Sequence, residues 1–264
     1  MKKVLVALVM IALLVSLCAC SVSPDSFMSK AQVNSLVKKY PNPQAVVTLK
    51  YETAGTEFEV MVTYNLMLEK APIAVTRFIQ IANADGYNNT LVDTLDAVNK
   101  KYMVMGRYEQ KDDKYYNVRS GDTTFAGEFQ SNGYRMPTGG YEEFSLFSLA
   151  MYHDNNADSF NSANGTLLLA LDSNMVLNSA NYAVFAEFES MTVRSNDGEK
   201  SYKKVSDMVL NHLKSFSARK ANQVVYDSEN ENASSVSVSI MSTQVTLTVE
   251  ILGDYDWTKL PTIR

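Results

Sequence analysis

From residue 45 onward the sequence alternates apolar and polar residues, and this two-residue period limits what the chain can fold into. The apolar members are Val47, Leu49 and Tyr51, followed after an Ala54-Gly55 turn by Phe58, Val60, Val62 and Tyr64. Successive side chains of a strand point to opposite faces, so such a segment buries one face and exposes the other. The spacing predicts a β-hairpin made of two half-buried strands.

Later segments continue this pattern and add two separate helices. The predicted strands lie near 101–108, 146–152, 166–171, 182–188, 236–240 and 246–252. Residues 71–84 have apolar residues at helical spacing with Pro72 in the first turn, which predicts a helix. A second helix is predicted for 203–216, and a third within 26–40. Many strands with two helices favour a β-barrel or sandwich with helical caps.

The first twenty residues have the pattern of an export signal. Lys2 and Lys3 precede an apolar run from Val4 to Leu17, which is too short for a membrane span of about 20 residues. Leu17-Cys18-Ala19-Cys20 resembles the lipobox of bacterial lipoproteins, which implies lipidation of Cys20. We therefore predict a signal peptide at 1–19, a polar tether at 20–44 and an extracytoplasmic, lipid-anchored location in a bacterial cell envelope. The alternatives are an ordinary secretory signal or an apolar segment with two buried thiols.

The composition and length of the chain limit which partners it can bind and how many domains it can form. No cysteine follows Cys20, so the folded part has no disulfide and depends on its core. Without residues 1–19 the chain has 22 basic and 29 acidic residues, a formal charge of −7 that argues against nucleic acid as a partner. The remaining 245 residues are enough for one core. We predict one domain at 45–264, with insertions near 109–140 and 190–235.

Short motifs then occur in an order that resembles the cyclophilins. Ala71-Pro72 opens a helix that contains Phe78, and Gly86-Tyr87 follows it. The other matching pieces are Phe125-Ala126-Gly127-Glu128-Phe129, Asn132-Gly133-Tyr134, Phe147-Ser148-Leu149-Ala150 and Tyr182-Ala183-Val184-Phe185. The resemblance implies a mostly β fold: a closed eight-stranded antiparallel β-barrel capped by two α-helices, with 246–252 as the closing strand. It also implies peptidyl-prolyl cis-trans isomerase activity.

The residues at the implied catalytic position differ from the family pattern. Rotation about a peptide bond has a barrier of about 18–20 kcal/mol, and in cyclophilins the arginine of a Phe-His-Arg-Val segment stabilises the twisted amide. That segment matches Val92-Asp93-Thr94-Leu95, which puts Thr94 at the arginine position. Lys100 and Lys101 lie nearby, but a lysine lacks the fork of donors of a guanidinium. We therefore predict weak or absent catalysis.

The resemblance also implies a substrate groove. Tyr102-Met103-Val104-Met105-Gly106 matches Phe-Met-x-Gln-Gly, and the family's Gln-Phe-Phe strand falls either on Thr166-Leu167-Leu168 or one residue later. The predicted groove residues are Tyr102, Met103, Met105, Ala150, Met151, Thr166, Leu167, Leu168, Leu177 and Tyr182. Such an apolar, methionine-rich surface can accept a proline or another aliphatic side chain. For each of these residues taken alone, a place in the core of the barrel or at its rim is a simpler explanation than a ligand contact.

Other chemistry has little support in the sequence. His153, Asp154 and Asp158 suggest a metal site only weakly, since a single histidine on such a loop is usually solvated. We predict no metal and no cofactor, and we expect 109–124 to be an exposed insertion. Two hypotheses remain open. One is an extracytoplasmic isomerase that acts slowly on proline-containing or extended peptide segments. The other is a lipid-tethered binding module without catalysis, which holds a protein partner in the groove or by the 109–140 insertion.

Overall fold

The computed structural model describes residues 27–96, 98–135, 142–153, 160–227 and 233–263. The predicted signal peptide and Cys20 lie outside these ranges. The three α-helices of the described residues are α1 (Lys30–Lys39), α2 (Pro72–Asn83) and α3 (Asp207–Ser215). The strands are β1 (Gln44–Thr53), β2 (Thr56–Leu66), β3 (Thr90–Leu95), β4 (Tyr102–Lys111), β5 (Lys114–Asn117), β6 (Leu149–Met151), β7 (Leu167–Ala170), β8 (Val184–Ser195), β9 (Gly198–Tyr202), β10 (Ala218–Asp227), β11 (Ala233–Met241) and β12 (Thr246–Leu252). None of the described helices combines the length and the apolar character that crossing a bilayer requires.

Eight of the strands form a closed ring. Its order is β4, β3, β12, β1, β2, β8, β6 and β7, and β7 pairs with β4 to complete it. Every neighbouring pair in the ring is antiparallel. The predicted hairpin, β1 and β2, is the longest antiparallel pairing in the ring. Val47 lies opposite Val62 on its buried face. The predicted mostly β fold with a cyclic antiparallel sheet is thus confirmed, and 246–252 is the strand that closes it.

Two helices cover the ends of this ring, as predicted. α2 follows β2 after a short connection, and its Phe78 ring lies 5.1 Å from Phe185 in the core. α3 packs beside the turn that joins β1 and β2, where the His212 ring lies 5.9 Å from that of Tyr51. Most of α2 is buried, whereas α3 buries only Val209 and Leu213, and both helices contribute to the main core.

α1 packs on the domain, although we predicted a tether for the segment that contains it. Ser29 and Gln32 form a reciprocal capping box that defines where the helix begins. At its other end the Tyr40 ring stacks 4.9 Å from Trp257, and its hydroxyl donates to the Asp256 carbonyl. Residues 30–40 therefore belong to the folded unit, while the division of the chain at residue 44 stays a prediction.

Part of the expected exposed insertion is also structured. β5 pairs with β4, and β10 runs parallel to β5, so that the β10–β11 hairpin extends the sheet beside the ring. Arg119 is only 5% exposed; its guanidinium donates to the carbonyls of Gly106 and Gly86 and lies over the Tyr87 ring. The expectation of an exposed insertion was wrong at Arg119, because this buried side chain donates to two backbone carbonyls.

Candidate functional site

Strand alternation divides the predicted groove residues between two sides of the sheet. Met103, Met105, Met151 and Leu167 belong to the main core and are at most 1% exposed. Ala150, Leu168 and Tyr182 instead belong to a smaller cluster on the other side, bordered by the half-buried Tyr102 and Leu177. The chain thus brings five of the ten predicted residues together. Thr166 lies just before β7, where its hydroxyl donates to the Asn164 side chain at 2.9 Å.

This second group, here the outer apolar cluster, consists of Met67, Phe144, Ala150, Leu168, Ala170, Tyr182 and Val184. All of its members are buried, although the cluster lies outside the main core. Phe144 covers it, with its ring centroid 5.9 Å from that of Tyr182. An ion pair between Lys70 and Glu142 fixes the chain two residues before Phe144. The apolar surface that resembles the family groove is therefore packed beneath a segment of the same chain.

The register of β7 bears on the ambiguity left by the sequence. Met105 lies opposite Leu167, Val104 opposite Leu168 and Met103 opposite Leu169. Within the run 167–169, only Leu168 belongs to the outer apolar cluster, while its two neighbours belong to the main core. In either of the two alignments, Leu168 is therefore the residue of this run whose side chain lies on the outer side of β7.

Next to Thr94 lies a charged pair that the sequence did not reveal. Arg107, on the neighbouring strand β4, donates from Nη2 to Asp93 Oδ1 at 2.7 Å. The Thr94 hydroxyl donates to the same oxygen at 2.9 Å. Arg107 is 13 residues away from Thr94 in the chain, so a comparison of local motifs did not associate them. Its place directly after the Tyr102–Gly106 match was the signal that could have found it.

Aromatic rings hold the guanidinium of Arg107 in place. Its central carbon lies 4.8 Å from the ring centroid of Tyr108 and 6.0 Å from that of Tyr152. Tyr152 packs against the outer apolar cluster, so Arg107 lies at the edge of that cluster. The side chain keeps 29% of its surface exposed, whereas that of Asp93 is only 3% exposed. This is an arginine that solvent reaches from one side, with its counter-ion underneath.

Burial controls the electrostatics of the pair. It raises the pKa of the Asp93 carboxyl above its usual range even though Arg107 favours the ionised form. Burial of Arg107 lowers its pKa, but the adjacent Asp93 outweighs that effect and raises it. Asp93 Oδ2 and Arg107 Nε are both buried without a hydrogen-bond partner among the described residues. A buried polar atom without a hydrogen bond typically lowers the stability of the fold by about 1–3 kcal/mol. In this pair, Asp93 Oδ2 lacks a donor and Arg107 Nε lacks an acceptor within the part of the chain that the structure describes.

The two lysines considered as substitutes for the missing arginine are engaged elsewhere. Lys100 Nζ donates to the Phe216 carbonyl at 2.8 Å, and Lys101 Nζ donates to the Asn174 carbonyl at 2.5 Å. Both bonds hold loops together. The cation nearest to Thr94 in the hydrogen-bond network of the described residues is therefore Arg107.

His153 is not the solvated histidine that we expected. It is 3% exposed, and its ring stacks between Phe129 at 5.2 Å and Tyr182 at 4.7 Å. Its Nε2 lies 2.7 Å from the Asn181 carbonyl oxygen. The expectation failed because aromatic stacking buries the imidazole. Asp154 and Asp158 lie outside the described residues, and within the described ranges no three His, Cys, Asp or Glu side chains form a group that could hold a metal.

Comparisons with known proteins are consistent with this geometry. A family model described as "Cyclophilin type peptidyl-prolyl cis-trans isomerase/CLD" matches residues 48–196, from β1 to just beyond β8. The chain belongs to this family of cyclophilin-type proteins. No curated protein matches it.

Solved structures that are similar to the chain are also cyclophilins. A Cryptosporidium parvum cyclophilin type peptidyl-prolyl cis-trans isomerase is 13% identical, over 79% of this chain and 99% of the other, with a TM-score of 0.39. The structure of the same protein in the presence of the dipeptide ala-pro is 12% identical, over 78% of this chain and 99% of the other, with a TM-score of 0.41. The Mimivirus cyclophilin is 13% identical, over 81% of this chain and 90% of its own, with a TM-score of 0.40.

Proposed function

We propose that this protein is an extracytoplasmic lipoprotein of the cyclophilin family that binds proline-containing or extended peptide segments and isomerises them slowly. The closed eight-stranded ring is the observation that carries the proposal, together with the sequence match that puts Thr94 where the family has its arginine. The half-buried residues that border the outer apolar cluster, among them Tyr102 and Tyr152, offer the apolar contact that a proline ring needs, and Phe144 restricts access to the cluster itself.

The weakness of the proposed catalysis follows from the physics of the reaction. Isomerisation of an X-Pro bond breaks no covalent bond, so an enzyme accelerates it by stabilising the twisted amide electrostatically. Loss of one preorganised donor typically lowers a rate about 10²–10³-fold. The replaced glutamine and phenylalanine of the family groove should lower it further. A low residual rate is the expected result.

The direct test is an exchange measurement on the mature chain, residues 20–264 with Cys20→Ser. NMR exchange spectroscopy on Ala-Pro-containing tetrapeptides gives the cis-trans rate with and without the protein. We expect acceleration that is measurable but far below that of an active cyclophilin run in parallel. A rate equal to that of the active enzyme would contradict the proposed degeneracy.

A second candidate function is a binding module without catalysis. The burial of the outer apolar cluster beneath Phe144 favours it, because a covered surface has less room for a turning amide. Titration with labelled peptides that differ only in proline or alanine distinguishes the two. Binding without any acceleration supports the module, and acceleration contradicts it.

The proposed membrane anchor rests on the sequence around Cys20. Two acyl chains hold a protein on a bilayer far more firmly than one chain does. We expect the full-length protein in the membrane fraction and a Cys20→Ser variant in the soluble fraction, with Cys18→Ser as the matched control that stays with the membrane. Mass spectrometry of the N-terminal peptide checks the modification directly. An unmodified Cys20 would contradict the anchor.

A further inference from the structure

We propose that Arg107 provides the cation for the isomerisation, acting from β4 in place of the arginine that position 94 lacks. This inference rests on the proposed function. It assigns a role to a residue that no motif in the sequence singles out.

The position of Arg107 carries the first part of the argument. Its Nη2 and the Thr94 hydroxyl share one oxygen of Asp93, at 2.7 and 2.9 Å. The guanidinium therefore lies one side chain away from Thr94, on the strand that pairs with β3. An arginine on either of two paired strands can present its charge at the same place on the sheet, because neighbouring strands are about 4.8 Å apart.

The surroundings of Arg107 carry the second part. Tyr108 and Tyr152 hold its guanidinium, and Tyr152 connects it to the outer apolar cluster. A peptide whose proline ring contacts the edge of that cluster at Tyr152 would place its amide near the exposed side of Arg107. The apolar contact and the cation are therefore available to one ligand.

The unused donors carry the third part. Among the described residues, only Nη2 of Arg107 is engaged in a hydrogen bond, with Asp93, and Nε is buried, so the donors that remain for a ligand are those of Nη1. A guanidinium has five N–H donors in a rigid fork, so it can hold Asp93 and still donate to a peptide. During rotation the amide nitrogen loses conjugation and becomes an acceptor. Donation to that nitrogen or to the carbonyl oxygen lowers the barrier without any proton transfer or covalent step.

Asp93 sets the strength of this effect. As a buried carboxylate it orients the guanidinium, but it also offsets part of the positive charge that a twisted amide would experience. Replacement of each partner therefore has a different expected result. Loss of the cation removes the catalytic group, whereas loss of the carboxylate leaves the cation in place with a stronger field.

The test compares Arg107→Gln and Asp93→Asn in the exchange assay with a proline tetrapeptide. We expect Arg107→Gln to lower kcat/KM about 10²-fold, or to the uncatalysed rate, as for removal of a preorganised donor, and we expect Asp93→Asn to raise it. Both variants break the same ion pair. A purely structural role would therefore lower activity in both. The matched control is Arg194→Gln, which removes an exposed arginine with two glutamate partners and should keep the wild-type rate.

Two further variants keep the test decisive. Arg107→Lys retains a positive charge beside Asp93 and so guards against misfolding, yet it should lose most of the rate because the fork is absent. Thr94→Arg should restore the rate to Arg107→Gln by supplying a guanidinium from β3. If the double variant regains the rate, an arginine at position 94 and Arg107 can act at the same place on the sheet.

The failures can be told apart. An active wild-type protein whose rate is unchanged by Arg107→Gln and Arg107→Lys overturns the role of Arg107 and leaves the proposed function intact. A wild-type protein that neither accelerates exchange nor binds the tetrapeptide overturns both. Binding without acceleration overturns the role of Arg107 and leaves the peptide-binding part of the proposal.

Discussion

At the scale of single residues, the least expected feature is how many polar side chains are buried for structural reasons. Glu128 is 3% exposed, and its Oε2 accepts the Ala74 N–H at 2.9 Å in the first turn of α2. The residue that precedes that helix, Ala71, offers no side-chain cap. Glu128 therefore caps the helix from a distant part of the chain, because its oxygen accepts an N–H of the first turn as an N-cap side chain would.

Glu128 leads to a prediction about pH. Burial raises its pKa from 4.5 to about 8, despite the backbone donors of Ile73 and Ala74. The folded protein thus binds this proton more tightly than the unfolded chain. The free energy of unfolding should therefore fall as the pH rises through this window. Urea denaturation from about pH 5 to about pH 9 measures this fall in the free energy of unfolding. The expected loss is about 1.4 kcal/mol for each unit by which the folded pKa exceeds the unfolded one.

The comparison variant is Glu128→Gln, which keeps an acceptor for Ala74 but cannot ionise. We expect its unfolding free energy to decline less than that of the wild type across the same range. Glu57→Gln, at an exposed position, should follow the wild-type curve. Identical curves for the wild type and Glu128→Gln would show that Glu128 does not titrate in this window.

At the scale of elements, the segment that carries Phe144 packs against the outer apolar cluster. Phe144→Ala should remove about 3 kcal/mol of stability, as truncation of a buried phenylalanine usually does, and should also expose the outer apolar cluster. Peptide affinity should rise at the same time. Calorimetric unfolding and peptide titration measure the two effects.

Phe188→Ala is the control for this change. Phe188 packs against the main core, 6.4 Å from Phe147, so its truncation should lower stability without raising peptide affinity. An equal rise in both variants would mean that loosening in general, and not removal of the cover, admits the peptide.

The sequence predicted those elements that a local pattern determines, and it missed the contacts that depend on distant parts of the chain. The β1–β2 hairpin and α2 follow from two-residue and helical periods, and the structure has both where they were expected. Arg107 escaped prediction because its partner Asp93 is on another strand, and strand pairing cannot be read from a local motif. His153 escaped it because the aromatic rings that bury it come from three separate segments.

The predicted groove residues divide between two sides of the sheet for a similar reason. Met103 and Met105 were assigned to the groove, but their neighbour Tyr102 is on the other side of the same strand. A one-residue difference in alignment exchanges the two faces of a strand. Family motifs alone at this level of divergence therefore locate the strands but not the direction of each side chain.

At the scale of the whole molecule, the ring depends on its last strand. β12 pairs with β1 along seven residues and with β3 at its beginning. A chain that ends at Met241 should leave two unpaired edges and lose its cooperative unfolding transition, with aggregation in size-exclusion chromatography. A chain that ends at Gly253 keeps β12 and should unfold cooperatively. Cooperative unfolding of the shorter chain would contradict a stabilising role for closure.

The docking of α1 also limits how far the domain can stand from a membrane. Phe27 and Met28 pack against the main core and Ser29 belongs to the helix cap, so only residues 20–26 remain to connect the proposed anchor with the folded unit. Seven extended residues span about 25 Å at most. With the proposed anchor in place, the folded unit would begin within that distance of the lipid headgroups, so that chains emerging across the bilayer would be within range while distant soluble ones would not.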